Sequence, residues 1–335
     1  MSVQCGSEIA FCDLPVHFDT YQGCSHGCEY CFAQKKIAID KIASRDNLTA
    51  LKSFIAGKRG KDTNWCDWNI PIHWGGLSDP FQPVERRVGA SYQALKVFAE
   101  TKYPVIISTK NPGMLLTEPY AGVLKECRAV VQVSMVSPSY DQVERGAAPF
   151  LDRMGTLLRL RGLVLRLIVR CQPYIDGLHE EIIGYMPQYK AAGVHGLIFE
   201  GMKRQKRFPG FVRLGSDMVY PTEILRPQYE ALRDAAHANG LKFYSGDERL
   251  RALGDSLTCC GIDGLEGFIP NTRNLNRWDE KNYTATMKKK GTITCFRTYS
   301  QTTNFGAFAK TMNFAEMMEL CKGIKYFKII MGREK

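Results

Sequence analysis

The sequence predicts an α/β fold on a parallel sheet, and three features carry that expectation. Short β-branched runs alternate with longer stretches of helical period. Six such strand-then-helix pairs follow one another with no internal repeat or low-complexity tract. Glycines stand at three joints, Gly162, Gly193 and Gly240, where helix C-caps are expected. In order, the strand-like runs are 14–19, 70–74, 104–109, 129–135, 163–170 and 194–200. The helical stretches are 33–43, 86–101, 118–127, 150–161, 178–192 and 221–239. Periodicity alone leaves the sheet either open or closed into a barrel. From about residue 245 the alternation fades into a region rich in Gly, Asn, Thr and Lys, with one late helix at 313–321. Two units are therefore expected: a core, 1–250, and a small C-terminal extension, 251–335.

Composition narrows the classes. With 44% hydrophobic and 24% charged residues, the 335-residue chain is neither disordered, collagenous nor a coiled coil. No apolar run approaches the roughly 18 residues of a membrane helix, and Glu8 and Asp13 sit where a signal peptide would be basic and then apolar. The expectation is a cytoplasmic protein with no membrane partner. Lys and Arg exceed Asp and Glu by 45 to 34, a formal charge of +11. Residues 271–335 hold 13 basic against 5 acidic groups, which accounts for +8 of it. A second basic run, Lys203, Arg204, Lys206 and Arg207 with Arg213 beyond, has no acid between Glu200 and Asp217. Two such regions favour a polyanionic partner over an incidentally basic surface.

Twelve cysteines are many for a compartment where disulfides do not persist. Three of them, Cys24, Cys28 and Cys31, fall within eight residues directly after the first strand. A tight cluster of this kind points to metal, whereas scattered thiols are small buried hydrophobes. A structural zinc site takes four closed ligands; His26 would have to be the fourth, from a spacing that strains a tetrahedron. Three thiolates on one loop suit a four-iron cluster with one iron left open, since such clusters are ordinarily held by four cysteines. A redox-active thiol group is the remaining reading.

The spacing Cys24-x3-Cys28-x-Tyr30-Cys31 resembles the radical S-adenosylmethionine (SAM) superfamily. The wider text "YQGCSHGCEYCFA", then "GGLSDPFQPVE" and "ISTKNP", is similar to its spore photoproduct lyase-like branch over about residues 14–200. The resemblance implies a partial (β/α)6 TIM-type barrel, a 4Fe-4S cluster on the three cysteines, SAM on the open iron, and an electron donor such as flavodoxin or ferredoxin. It also implies an isomerase- or lyase-type reaction begun by a 5′-deoxyadenosyl radical, with the protein positioning and shielding that radical.

Barrel chemistry gathers at the C-terminal ends of the strands. Those ends carry Gly75, Gly76, Ser78 and Asp79, then Ser108 to Lys110, and then Ser134, Arg170 and Glu200. By resemblance, Gly75 and Gly76 admit the SAM amino group, Ser78, Asp79, Lys110 and Ser134 contact the cofactor, and Arg170 pairs with the SAM carboxylate, a planar match for guanidinium. Leu77 stands where the family carries an acid, so amino-group recognition is expected from Ser78, Asp79 or backbone carbonyls. Glu200 joins the cofactor-binding set. Strand alternation puts Arg166 and Arg170 on one face and Cys171 on the other.

Toward the C-terminus, Cys259, Cys260 and Cys295 are candidates for a hydrogen donor or a second cluster, the alternative being buried thiols in a turn. Arg273, Arg277, Lys288, Lys289 and Lys290 lie among amides and a tryptophan, a mixture that suits phosphate contact and base stacking. The reading is hydrogen abstraction from a base, or a base-attached group, in DNA: repair of a thymine lesion, or remodelling of a hypermodified thymine as in phage-encoded relatives of this branch. A peptide- or metabolite-modifying enzyme is the alternative within the superfamily. A metal-cluster nucleic-acid-binding module is the alternative without catalysis.

Overall fold

A computed structural model describes residues 3–5, 12–35, 41–44, 47–59, 63, 66, 69–214 and 217–271, with three short strands beyond, Cys295–Thr298, Thr302–Thr303 and Phe327–Ile330. Its centre is a sheet of seven parallel strands: β1 (Val16–Phe18), β2 (Ile72–Trp74), β3 (Val105–Thr109), β4 (Ala129–Ser134), β5 (Arg166–Tyr174), β6 (Gly196–Gly201) and β7 (Lys242–Ser245). They pair in chain order, and Gln4–Cys5 adds an antiparallel edge to β1. Sequential order is barrel winding; a doubly wound sheet reverses at a switch point. The fold is a partial TIM-type barrel.

Alternation along each strand builds two cores. Val105, Ile107, Val131, Val133, Val169, Cys171 and Phe199 face outward and pack beneath the helices. Ile106, Val130, Ile168, Ile198 and Tyr244 face inward, where Cys260, Ile262 and Phe268 fill the lower lumen as a plug. Arg166 secures this plug from inside the barrel, donating from Nη1 to the carbonyls of Gly261 and Asp263, both at 2.8 Å. Helix Phe150–Arg161 shows how the outer layer forms: Phe150, Arg153, Leu157 and Leu160 recur every three or four residues and are its buried face.

Several elements differ from expectation. Of the helix expected over 33–43, residues 36–40 lie outside the described residues; Phe32–Lys35 is a 3-10 turn, and Ala43–Ser44 pairs with Tyr21–Gln22 in a hairpin flanking the cysteine loop. The first crossover helix is Leu48–Ile55. Gly89, at φ +68°, splits the next into Glu85–Val88 and Ala90–Thr101. Gly193 and Gly240 take the left-handed cap conformation, whereas Gly162 caps its helix right-handed. β5 runs four residues past its expected end, and the four-residue β7 was not anticipated. The helix expected at 313–321 lies outside the described residues.

Ile168 is fully buried between sheet and plug. Ile168→Ala is expected to lower unfolding free energy by about 2–5 kcal/mol. A shifted urea midpoint at unchanged slope is the measurement.

Candidate active site

The cysteine loop leaves Tyr21–Gln22 and is clamped on two sides. Ser25 N–H donates to Gln82 Oε1 at 2.9 Å, and Gln82 Nε2 returns a bond to the Gly23 carbonyl at 3.1 Å. On the other side Glu29 N–H donates to the Val143 carbonyl at 3.0 Å, Gly146 N–H donates to the His26 carbonyl at 2.9 Å, and His26 Nδ1 meets the Gly146 carbonyl at 2.8 Å. A Cβ on Gly146 would run into the Ser25 carbonyl and lie 2.9 Å from His26 Cα, so only glycine lets the loop dock this closely. Cys28 is buried, Cys24 and Cys31 are half-buried, and none of the three is in a disulfide.

The second ring nitrogen of His26, Nε2, lies 3.1 Å from Asp79 Oδ2. His26 thus faces a carbonyl through Nδ1 and a carboxylate through Nε2, with no hydrogen bond completed at Nε2. Among the described residues no three His, Cys, Asp or Glu side chains converge on a single ion. Cysteine thiolates are the donors that iron–sulfur clusters take, and the loop carries three of them.

Two buried carboxylates brace the loop from behind. Asp79 accepts from Phe81 N–H and Thr109 Oγ1, both at 2.8 Å, and from Lys110 N–H at 2.6 Å. Burial pushes its carboxyl up, but His26 and these donors more than offset that and hold it below the ordinary carboxylate range. Glu144 accepts from Tyr30 Oη and Arg153 Nη2 and pairs with Lys110 Nζ at 3.1 Å. Burial acts upward here too, and Lys110 and Arg153 win. Arg153, itself buried, also donates to the carbonyls of Ala148 and Ser134, both at 2.6 Å. Burial raises the Cys24 thiol to about 12 and Cys28 to about 11; at Cys28, Lys110 opposes the rise and Glu144 adds to it.

The upper lumen is a continuous polar wall. His73 Nε2 meets Ser108 Oγ at 2.8 Å; Ser108 Oγ donates to Gln132 Oε1 at 3.0 Å, which also accepts from Arg170 Nη1 at 3.0 Å. Arg170 Nε donates to Gln172 Oε1 at 2.5 Å, Gln172 Nε2 donates to Glu200 Oε2 at 2.6 Å, and Glu200 Oε1 takes Lys203. Among the described residues no carboxylate pairs directly with Arg170. His73 is held neutral, first by burial and then by His17 and Arg170. Gln132 Nε2 reaches down to the Cys260 carbonyl at 3.0 Å.

The structure thus gathers Ser108, Arg170 and Glu200, read from the sequence at the strand ends, with His73, Gln132 and Gln172, which sequence reasoning missed although alternation puts them on the inner face. Gly75 and Gly76 hold the β2 turn: φ is +96° at Gly75, and a Cβ there would sit 2.5 Å from the Ser108 carbonyl, while one on Gly76 would meet His17 Nδ1 at the same distance. Ser78 Oγ donates to the Tyr21 carbonyl at 2.7 Å. Ser134 sits at the β4 end, register partner of Arg170. Lys110 stands at the loop, its Nζ 5.5 Å from the Tyr30 ring centroid.

Cys259 and Cys260 lie at the lumen floor with sulfurs 4.0 Å apart. The Cys260 hydrogen bond and Arg251 draw the Cys259 thiol below its ordinary value, and Cys260 is pushed up in consequence. The side chain of Cys295 is outside the described residues, as are Arg273, Arg277, Lys288, Lys289 and Lys290.

After Glu200 the chain forms a small antiparallel flap, Lys203–Arg204, Val212–Leu214 and Asp217–Val219, at the barrel mouth. Lys203 turns inward to Glu200, while Arg204, Lys206, Arg207 and Arg213 are exposed, and the Arg204 guanidinium lies 4.1 Å over the Phe208 ring.

With this geometry in place, the class of fold finds solved counterparts. Two mutant structures of spore photoproduct lyase match at TM-score 0.53, 16% and 17% identical, over 69% of this chain and 77% of theirs. In sequence, three uncharacterized mycobacterial proteins, one from Mycobacterium bovis and two from Mycobacterium tuberculosis strains, are 23% identical over 219 residues, 62% of this chain. The chain spans 64% of the length of those relatives. No family model matches. Among the described residues no helix is long and apolar enough to cross a membrane.

Two outcomes are expected. Gly146→Ala should weaken iron retention after anaerobic reconstitution by roughly 10-fold, the order seen for residues that orient ligands, read as iron per chain. In metal-free protein, alkylation mapped by mass spectrometry should mark Cys259 ahead of Cys24 and Cys28 at neutral pH, and its rate should persist to lower pH than theirs, because its thiolate persists.

Proposed function

We propose that this chain is a radical SAM enzyme that abstracts hydrogen from a base, or a base-attached group, in DNA. The observation that carries the reading is three cysteines on one clamped loop at the mouth of a partial barrel, with the histidine between them facing Gly146 and Asp79. Cys24, Cys28 and Cys31 would hold the 4Fe-4S cluster, and together with SAM that cluster supplies a 5′-deoxyadenosyl radical. Arg170, poised between two glutamine carbonyls, offers its guanidinium to a carboxylate. Neutral His73 and the glutamines supply oriented dipoles without a competing charge, and the plug closes the lumen floor against water.

Support for DNA comes from the chain's charge and the flap. Arg204, Lys206, Arg207 and Arg213 stand exposed beside a half-exposed Phe208 at the rim of the lumen, a set that contacts phosphates and stacks on bases. The resemblance to the spore photoproduct lyase-like branch favours a thymine, either a lesion under repair or a hypermodified base under rearrangement. A flavodoxin- or ferredoxin-type protein would deliver the electron.

The test is anaerobic incubation with SAM, dithionite and either DNA or peptide. Wild type should release 5′-deoxyadenosine, and the Cys24, Cys28 and Cys31 triple alanine variant should release none; release by that variant would sink the assignment. Deuterium should pass from labelled thymine-containing DNA into 5′-deoxyadenosine, and transfer from peptide alone would refute DNA as substrate. Neutralising Arg204, Lys206 and Arg207 together should flatten the salt dependence of DNA affinity by up to about 3 units, one per lost phosphate contact. SAM cleavage without DNA should be unchanged.

A further inference from the structure

Beneath the cysteine loop lies an arrangement that the hydrogen-abstraction reading leaves unused. Lys110 and Glu144 are opposite charges in contact at 3.1 Å, with side chains 15% and 1% exposed. Glu144 is also bonded to Tyr30 Oη, on the residue between Cys28 and Cys31, and Lys110 lies against the same ring. Arg153 holds Glu144 from the far side, and Asp141 approaches Arg153 at 3.9 Å from a more exposed position. A loop that only needed anchoring could use neutral bonds, as it does at Gln82 and Val143. Burying an ammonium and a carboxylate carries a desolvation cost that good geometry only partly repays, and a fixed charge in a water-poor site acts strongly on any charge that appears beside it.

We propose that Lys110 and Glu144 form a charge couple that sets the electron affinity of the cluster on Cys24, Cys28 and Cys31. The inference rests on the radical SAM reading and adds to it a role for these two side chains as positioning residues. Reduction adds one negative charge to the cluster. The Lys110 ammonium stabilises that added charge and raises the reduction potential; the Glu144 carboxylate destabilises it and lowers the potential. Their contact with each other and with Tyr30 holds both beside the cysteine loop, and Lys110 with Arg153 keeps Glu144 ionised.

The experiment is an EPR-monitored redox titration of reconstituted full-length protein, with iron and sulfide content measured in every sample. Lys110→Gln should shift the midpoint potential down, Glu144→Gln should shift it up, and Lys110→Arg, which keeps the charge, should stay near wild type. A merely structural role predicts shifts of the same sign for both glutamine variants, or looser iron retention at an unchanged potential, and either result overturns the proposal. Each variant carries its own signed expectation, so one that fails to fold leaves the other decisive. Wild-type protein that takes up no iron and sulfide would instead refute the radical SAM reading itself.

Discussion

The arrangement hangs on one buried carboxylate. Asp79 follows the β2 turn, and its two oxygens reach three separate pieces of chain: its own turn at Phe81, the end of β3 at Thr109 and Lys110, and the cysteine loop at His26. A carboxylate with so many donors is cheap to keep ionised even when buried. Because His26 sits between Cys24 and Cys28, this one group transmits the position of the sheet to the thiols. Glu144 repeats the device from the opposite flank through Tyr30 and Lys110. The loop itself has little regular structure, so its shape is imposed from outside, by groups whose loss would leave charges buried and unpaired.

The lumen divides by chemistry along its axis. At the floor, Ile106, Val130, Ile168 and Ile198 meet the plug in an apolar layer. One alternation step higher the same strands present Ser108, Gln132, Arg170 and Glu200, which satisfy one another across four strands. The switch from apolar to polar falls within a single pleat, so a polar layer can exist inside the barrel without weakening the core beneath it. Each member of the wall is held by a neighbour on the next strand, which limits side-chain freedom before any ligand arrives.

Much of this was legible in the sequence because it depends on local pattern. The parallel sheet, most helices, the cysteine loop and the polar strand ends follow from periodicity and spacing, whereas the barrel order of the strands came from the family resemblance alone. Gln172 was missed because Pro173 follows it and a proline argues against a continuing strand; β5 carries it where the register with β6 breaks, between Cys171 and Tyr174. The four residues of β7 were too few to show a period. The bracing of the cysteine loop was illegible for a different reason. Tyr30 and Glu144 are 114 residues apart, and His26 and Gly146 are 120 apart. No local signal separates a glutamate that will be buried beneath a thiol from one that will face water.

The closed floor has a consequence for recognition. Asn271 ties the plug to the segment before β1, donating from its backbone N–H to the Asp13 carbonyl at 2.9 Å and from Nδ2 to the Cys12 carbonyl at 3.0 Å. With that end filled among the described residues, the mouth is the approach that the proposed chemistry would use. The flap grows there directly from β6, its first residue, Lys203, bonded to Glu200 of the polar wall. The Lys203–Glu200 pair thus connects the strand that carries the exposed Arg204, packed over Phe208, to the inner wall. On the proposed function, a polyanion held at the rim would bear on the same strand that ends the wall, so charge outside and hydrogen bonds inside share one element.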